Sequence, residues 1–115
     1  MLSISERLQN QDNAGILIVN CHRKILGFTP NLLRIWNLPE VIIKSLSDQR
    51  ALEFVSEQFE NSKLFLKDMT EIYEQTHLEI NEKVQLKDGR IIERHSKPLC
   101  FNGVYAGRLW RFKRH

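Results

Sequence analysis

The chain has 115 residues, 42% of them hydrophobic and 27% charged. That is room for one domain with a real core, and it excludes a disordered segment, because enough apolar surface is present to offset chain entropy. The 17 basic and 14 acidic residues leave a net charge of +3. This is too even a balance for a dedicated nucleic-acid binder, which gathers Lys and Arg on one face.

No apolar run approaches the ~18 residues of a membrane span, so no membrane contact is expected of this segment. Cys21 and Cys100 are the only cysteines and have no CxxC or metal-ligand spacing. They read as free thiols in a reducing compartment. The opening Met1-Leu2-Ser3-Ile4-Ser5-Glu6-Arg7 lacks the basic-then-apolar order of a signal peptide, and the expected location is cytoplasmic.

Ser3-x-x-Glu6 has the form of a capping box and starts a short helix over residues 1–11. Asp12-Asn13-Ala14-Gly15 breaks it. Ile16-Leu17-Ile18-Val19 is a continuous, largely β-branched run, which suits a strand buried on both faces. Asn20 to Arg23 supplies a turn, and Lys24 to Phe28 pairs back as a second strand. Thr29-Pro30 marks a helix start, Thr as N-cap and Pro in the first turn, and Pro39 stops that helix.

A weaker helical piece covers Glu40–Leu46. Ser47-Asp48 caps a third helix with Leu52, Val55 and Phe59 on one face. Asn61-Ser62 caps a fourth, where Phe65, Met69, Ile72 and Tyr73 recur at i, i+4, i+7 and i+8. From His77 the period changes to two. Leu78, Ile80, Val84 and Leu86 face one way, and Glu82 falls on their side, where it needs a partner such as Arg94 or a twist that returns it to water.

Asp88-Gly89 turns the chain into a strand from Ile91 to Cys100. Phe101-Asn102-Gly103 then turns it into a last strand from Val104 to Lys113. The expected class is α+β, with a five-stranded antiparallel sheet and a cluster of short helices on one face.

Four strings resemble those of PAS domains. Gly15-Ile16-Leu17-Ile18-Val19-Asn20 is similar to the opening strand of the bacterial members. Leu33-x-x-Trp36-x-Leu38-Pro39 is similar to the end of the first helix after the hairpin. Leu86-Lys87-Asp88-Gly89-Arg90-x-x-Glu93-Arg94-x-Ser96-x-Pro98 and Gly107-Arg108-Leu109-Trp110-Arg111-Phe112 resemble the meander and the final strand. The resemblance runs from residue 12 to residue 113, so residues 12–115 are read as the domain and 1–11 as a flanking helix.

Three departures stand out. Arg23 lies where the family often has Gly, Thr29-Pro30 where it often has Asn, and Lys113-Arg114-His115 where a D-x-T triplet commonly ends the last strand.

The resemblance implies a regulatory rather than catalytic module of a bacterial signalling protein. The parent would carry a downstream output domain, a histidine kinase or a cyclic-di-GMP enzyme with GGDEF or EAL domains. Such a module senses a small molecule or relays a signal through a homodimer; the alternative is a ligand-free interaction module. Enzyme signatures are missing: there is no G-x-S-x-G, no Cys with a positioned His and no phosphate loop.

Pocket candidates are Trp36, Phe54, Phe65, Met69, Tyr73 and Trp110, with His95 as a polar group. Most of these aromatics also serve as plain core. No metal site and no particular ligand is expected. Haem through His77 is disfavoured, since a His at a helix end also complements the helix dipole. Flavin chemistry through Asn20-Cys21-His22-Arg23 is disfavoured because the string lies in the first turn. Ile4 and Leu8, one turn apart on a short helix, are the candidate dimer contact.

Overall fold

The computed structural model describes residues 13–115. The flanking helix expected over residues 1–11, with Ile4 and Leu8, lies outside the described residues. Strands β1 (Gly15–Asn20) and β2 (Ile25–Phe28) form a hairpin. Helices α1 (Pro30–Trp36), α2 (Glu40–Ile43), α3 (Asp48–Ser56) and α4 (Ser62–Glu74) follow, then β3 (Ile80–Gln85), β4 (Ile91–Phe101) and β5 (Val104–Arg114). All pairings are antiparallel, and the strand order is β2-β1-β5-β4-β3. The helices carry the chain from one sheet edge to the other, across one face.

Local chemistry explains most boundaries. In the β1–β2 turn the Asn20 side-chain oxygen accepts from the N–H groups of His22 and Lys24, both at 2.9 Å. Arg23 takes a left-handed φ of 63°, which accounts for glycine at this place in the resembled family. Ser47 and Asn61 cap α3 and α4, accepting from Arg50 N–H at 3.2 Å and Leu64 N–H at 3.0 Å.

Thr29 occupies the N-cap of α1 but makes no side-chain cap bond. Its hydroxyl accepts from Ile16 N–H at 3.0 Å, because Thr29 also extends the β2 pairing with β1. The second helical piece is shorter than expected: α2 ends at Ile43, and the chain turns to Leu46, whose φ is 58°. The β4–β5 turn has consecutive left-handed residues, Asn102 at 51° and Gly103 at 77°, the geometry that matches the twist of a two-residue hairpin.

The core lies between the helices and one sheet face. Leu17 and Val19 of β1, Ile92 of β4, and Trp110 and Phe112 of β5 meet Leu32, Trp36, Val55, Phe65 and Met69 from the helices. The spacing of α1 on β1 depends on Gly15, where a Cβ would sit 2.7 Å from the Leu32 Cα. The expectation of a first strand buried on both faces is corrected here. Leu17 and Val19 are buried, but Ile16 and Ile18 are only half-buried on the opposite face. No helix among the described residues covers that face; a contiguous apolar run also suits an antiparallel strand with one open side.

Phe59 does not continue the α3 face. It follows the helix and packs between Trp36 and Phe65, with ring centroids 6.2 and 4.1 Å away.

Candidate functional site

The cleft between sheet and helices closes down to a cavity of about 40 Å³. At one water per ~10–15 Å³ of such space, it holds only a few water-sized groups. Cofactor-sized and drug-sized ligands need roughly 300–1,000 Å³. The walls are mainly apolar, drawn from β1, β2, all four helices, β4 and β5.

Side-chain packing is what fills the cleft. Trp110 and Phe112 stack at 5.7 Å, and Trp36 meets Phe112 edge-on at 5.2 Å. Aromatic pairs in these arrangements contribute about 0.5–1.5 kcal/mol beyond the area they bury.

Two charged residues interrupt the apolar wall. Asp48, 1% exposed, begins α3. Its carboxylate accepts from Arg23 Nη2 at 3.3 Å and from the Tyr73 hydroxyl. Arg23 also lies over the Tyr73 ring, 4.4 Å from its centroid, and Tyr73 accepts from Trp110 Nε1 at 3.0 Å. Burial pushes the Asp48 carboxyl above its ordinary range, with the Arg23 charge and the Tyr73 hydrogen bond opposing. Burial and then the Asp48 charge hold the Tyr73 hydroxyl well above the usual phenol range. Tyr73 therefore stays a neutral donor, and Asp48 is a buried acceptor that the first hairpin turn covers with a cation.

Arg94 is the second. It is 7% exposed, donates through Nε to Glu82 at 2.8 Å and through Nη2 to the same oxygen, and reaches Met69 Sδ through Nη1 at 3.5 Å. Glu82 and Arg94 are direct cross-strand partners. Both readings made for Glu82 hold together: it pairs with Arg94, and 46% of its side chain still meets water.

Of the residues expected to line a pocket, Trp36, Phe65, Met69 and Trp110 do line the cavity. Phe54 packs partly buried against the core without lining it, and Tyr73 acts from behind Asp48 and Trp110. His95 is corrected. It pairs across the strands with Asn81 and Arg111 on the opposite sheet face, where it borders an open groove with Glu79 and Lys97. Alternation along β4 forces this, since Arg94 and Ser96 face the helices. His77 is exposed after α4, and Cys21 and Cys100 are exposed.

Sequence reasoning missed Asp48, taken only as part of a helix start, and the role of Arg108. Arg108 is fully buried on β5. It donates through Nη1 to Ser96 Oγ at 2.7 Å and through Nη2 to the Gln75 carbonyl at 3.2 Å and to the Leu78 carbonyl. One guanidinium thereby fastens the end of α4 and the approach to β3 onto the sheet. Arg90 does the same at the other end of the cleft, binding the Ile35 carbonyl and Gln58 Oε1 at 2.8 and 2.9 Å, while Gln58 binds the Trp36 carbonyl at 2.7 Å.

Among the described residues no cluster of His, Cys, Asp and Glu suited to a metal ion is found, and no helix is long and apolar enough to cross a membrane.

Neither protein-family models nor curated proteins match the sequence. Solved structures do match the fold. The PAS domain of BvgS from Bordetella pertussis superposes with a TM-score of 0.67 at 10% identity, over 96% of this chain and 87% of that one. A domain of a putative light and redox sensing histidine kinase from Haloarcula marismortui gives 0.62 at 11% identity, over 96% and 95%. The sensor region of a sensor histidine kinase gives 0.66 at 10% identity over 87% of this chain, which spans 38% of that structure. The five-stranded antiparallel sheet in the order β2-β1-β5-β4-β3, with its helices gathered on one face, is the PAS fold.

Proposed function

We propose that this chain is a signalling module of a larger protein, and that it relays its signal through self-association without a cofactor in its core. The observation that carries the reading is the 40 Å³ cavity inside a PAS fold. Haem or flavin would have to displace Trp36, Phe65 and Trp110, which are packed against each other's neighbours. The open sheet face supports relay by contact. Ile18 lies directly opposite Leu109 there, with Ile16 beside them, on the strand that begins at Gly15.

Ile4 and Leu8 are assigned the dimer contact on their sequence pattern. The parent would be a cytoplasmic histidine kinase or a cyclic-di-GMP enzyme, and the output would follow a shift in population between two dimer arrangements. A second reading is favoured by the carboxylate of Asp48 on the cavity wall: an uncharged molecule of a few heavy atoms that donates a hydrogen bond would fit there.

Sedimentation velocity over a concentration series tests the first reading. The chain should pass from monomer to dimer as concentration rises. A variant carrying Ile4→Asp and Leu8→Asp should need at least about tenfold more protein to reach the same dimer fraction, a change of about 1.4 kcal/mol. A chain that stays monomeric throughout, or a variant that dimerises equally well, contradicts it.

A further inference from the structure

A second concave site lies away from the core, at the end of the sheet where β1 begins and β5 ends. It has a volume of about 220 Å³ and is bordered by Asn13, Asn31, Arg34, Ile35, Arg90 and Arg114. Three guanidinium groups from three different elements converge there: Arg34 from α1, Arg90 from the β3–β4 turn and Arg114 from the end of β5. No carboxylate borders the cleft among the described residues.

The site is built rather than incidental. Asn31 is 5% exposed, and its side-chain oxygen accepts from Arg34 Nη1, which fixes that guanidinium over the cleft. Arg90 is held on three sides, by Asp88, the Ile35 carbonyl and Gln58. Its side chain is only 15% exposed. The backbone N–H of Arg90, and then its side chain, hold the Asp88 carboxyl below its ordinary range, with the charges of Arg90 and Arg114 adding smaller contributions.

Arg90 is already paired with Asp88 at 2.8 Å, so Arg34 and Arg114 supply the like charges that an anion between them would bridge. Arginine presents a planar fork of donors that matches oxyanions. The volume is below the roughly 300–1,000 Å³ of a drug-sized pocket, which suits a compact anion.

We infer that this cleft binds a small, doubly charged oxyanion, a phosphate group or a short dicarboxylate, between Arg34 and Arg114. Because Asn13 precedes β1 and Arg114 ends β5, the bound anion ties the start of the described domain to its last strand and to α1. Binding there stiffens the two segments through which a neighbouring domain would be coupled.

The test uses inorganic phosphate and succinate in separate titrations against the whole chain, at constant ionic strength set with chloride, followed by amide chemical shifts. One or both should give saturable shifts centred on Asn13, Asn31, Arg34 and Arg114. Which one does so distinguishes the two sources of the dianion. Arg34→Gln and Arg114→Gln should each weaken binding about tenfold, equivalent to about 1.4 kcal/mol. The anion should also raise the melting temperature of the parent chain more than that of the double variant.

Arg34 and Arg114 are both exposed, and unchanged shifts away from the cleft verify that each substitution leaves the fold intact. Shifts that never saturate, that spread over all basic residues, or that persist equally in the double variant would overturn the site.

Discussion

Replacing Gly107 with alanine is expected to remove more than about 4 kcal/mol of stability, a large part of the ~5–15 kcal/mol that holds a domain of this kind together. Gly107 lies in β5 opposite Asn20 of β1. An added Cβ would stand 2.0 Å from the Val19 carbonyl oxygen and 2.8 Å from the Asn20 Cα, both backbone atoms that cannot rotate away. The φ of 154° adds strain for any residue with a side chain. Relief requires β1 to separate from β5, the central strand of the sheet.

Gly27 supplies the comparison. It lies on the edge strand β2 with nothing within 4 Å of its would-be Cβ. Gly27→Ala should be within about 0.5 kcal/mol of the parent. Urea unfolding of the two variants reads the difference directly, and equal effects would refute the close approach of β1 to β5.

Arg108→Met should cost about 3 kcal/mol or more, even though the replacement is apolar and of similar reach. The reason is what remains behind. The carbonyls of Gln75 and Leu78 and the hydroxyl of Ser96 lose their charged donor, and an acceptor left unsatisfied in a buried setting costs about 1–3 kcal/mol. Arg108 itself is not fully paired, since its Nε has no partner, so part of the loss is offset by removing a poorly satisfied donor.

At a midpoint shift of a few degrees per kcal/mol, the melting temperature should fall by about 10 °C. Hydrogen exchange should show the lost protection concentrated between the end of α4 and β3. A variant within 1 kcal/mol of the parent would show that the guanidinium is not the fastening point.

These two residues are neighbours in the last of the strings that resemble PAS domains, and their roles show why the strings were legible. Gly107 is needed by a backbone contact, and Arg108 by two carbonyls. In the meander string, Leu86 is buried, Gly89 takes a left-handed turn, Arg90 binds the end of α1, Arg94 pairs with Glu82 and Ser96 receives Arg108. In the helix string, Asn37 takes a left-handed φ of 51° that lets Leu38 return to the core. Fixed joints demand particular residues, so they leave readable strings, whereas most core positions demand only an apolar side chain.

What was not legible depends on contacts between distant parts of the chain. Ser47-Asp48 reads in the sequence only as a helix start. Asp48 is buried because the β1–β2 turn folds over it with Arg23, while α4 brings Tyr73 from the other side. The face taken by His95 depends on how β4 registers with β3 and β5. The half-exposed row of Ile16 and Ile18 could not be told from a fully buried strand by hydrophobicity alone. Thr29-Pro30 predicts a capping hydroxyl, and Thr29 does hold the N-cap position, yet its hydroxyl is claimed by Ile16 across the strand.

The cavity between sheet and helices measures about 40 Å³, against the roughly 300–1,000 Å³ of a cofactor site. Native mass spectrometry of the purified chain, compared with its denatured mass, tests this closed core most directly. Monomer and dimer peaks at one and two times the polypeptide mass are expected, with no visible absorption from the same sample. A retained species of haem or flavin size, released on denaturation, would contradict a closed core.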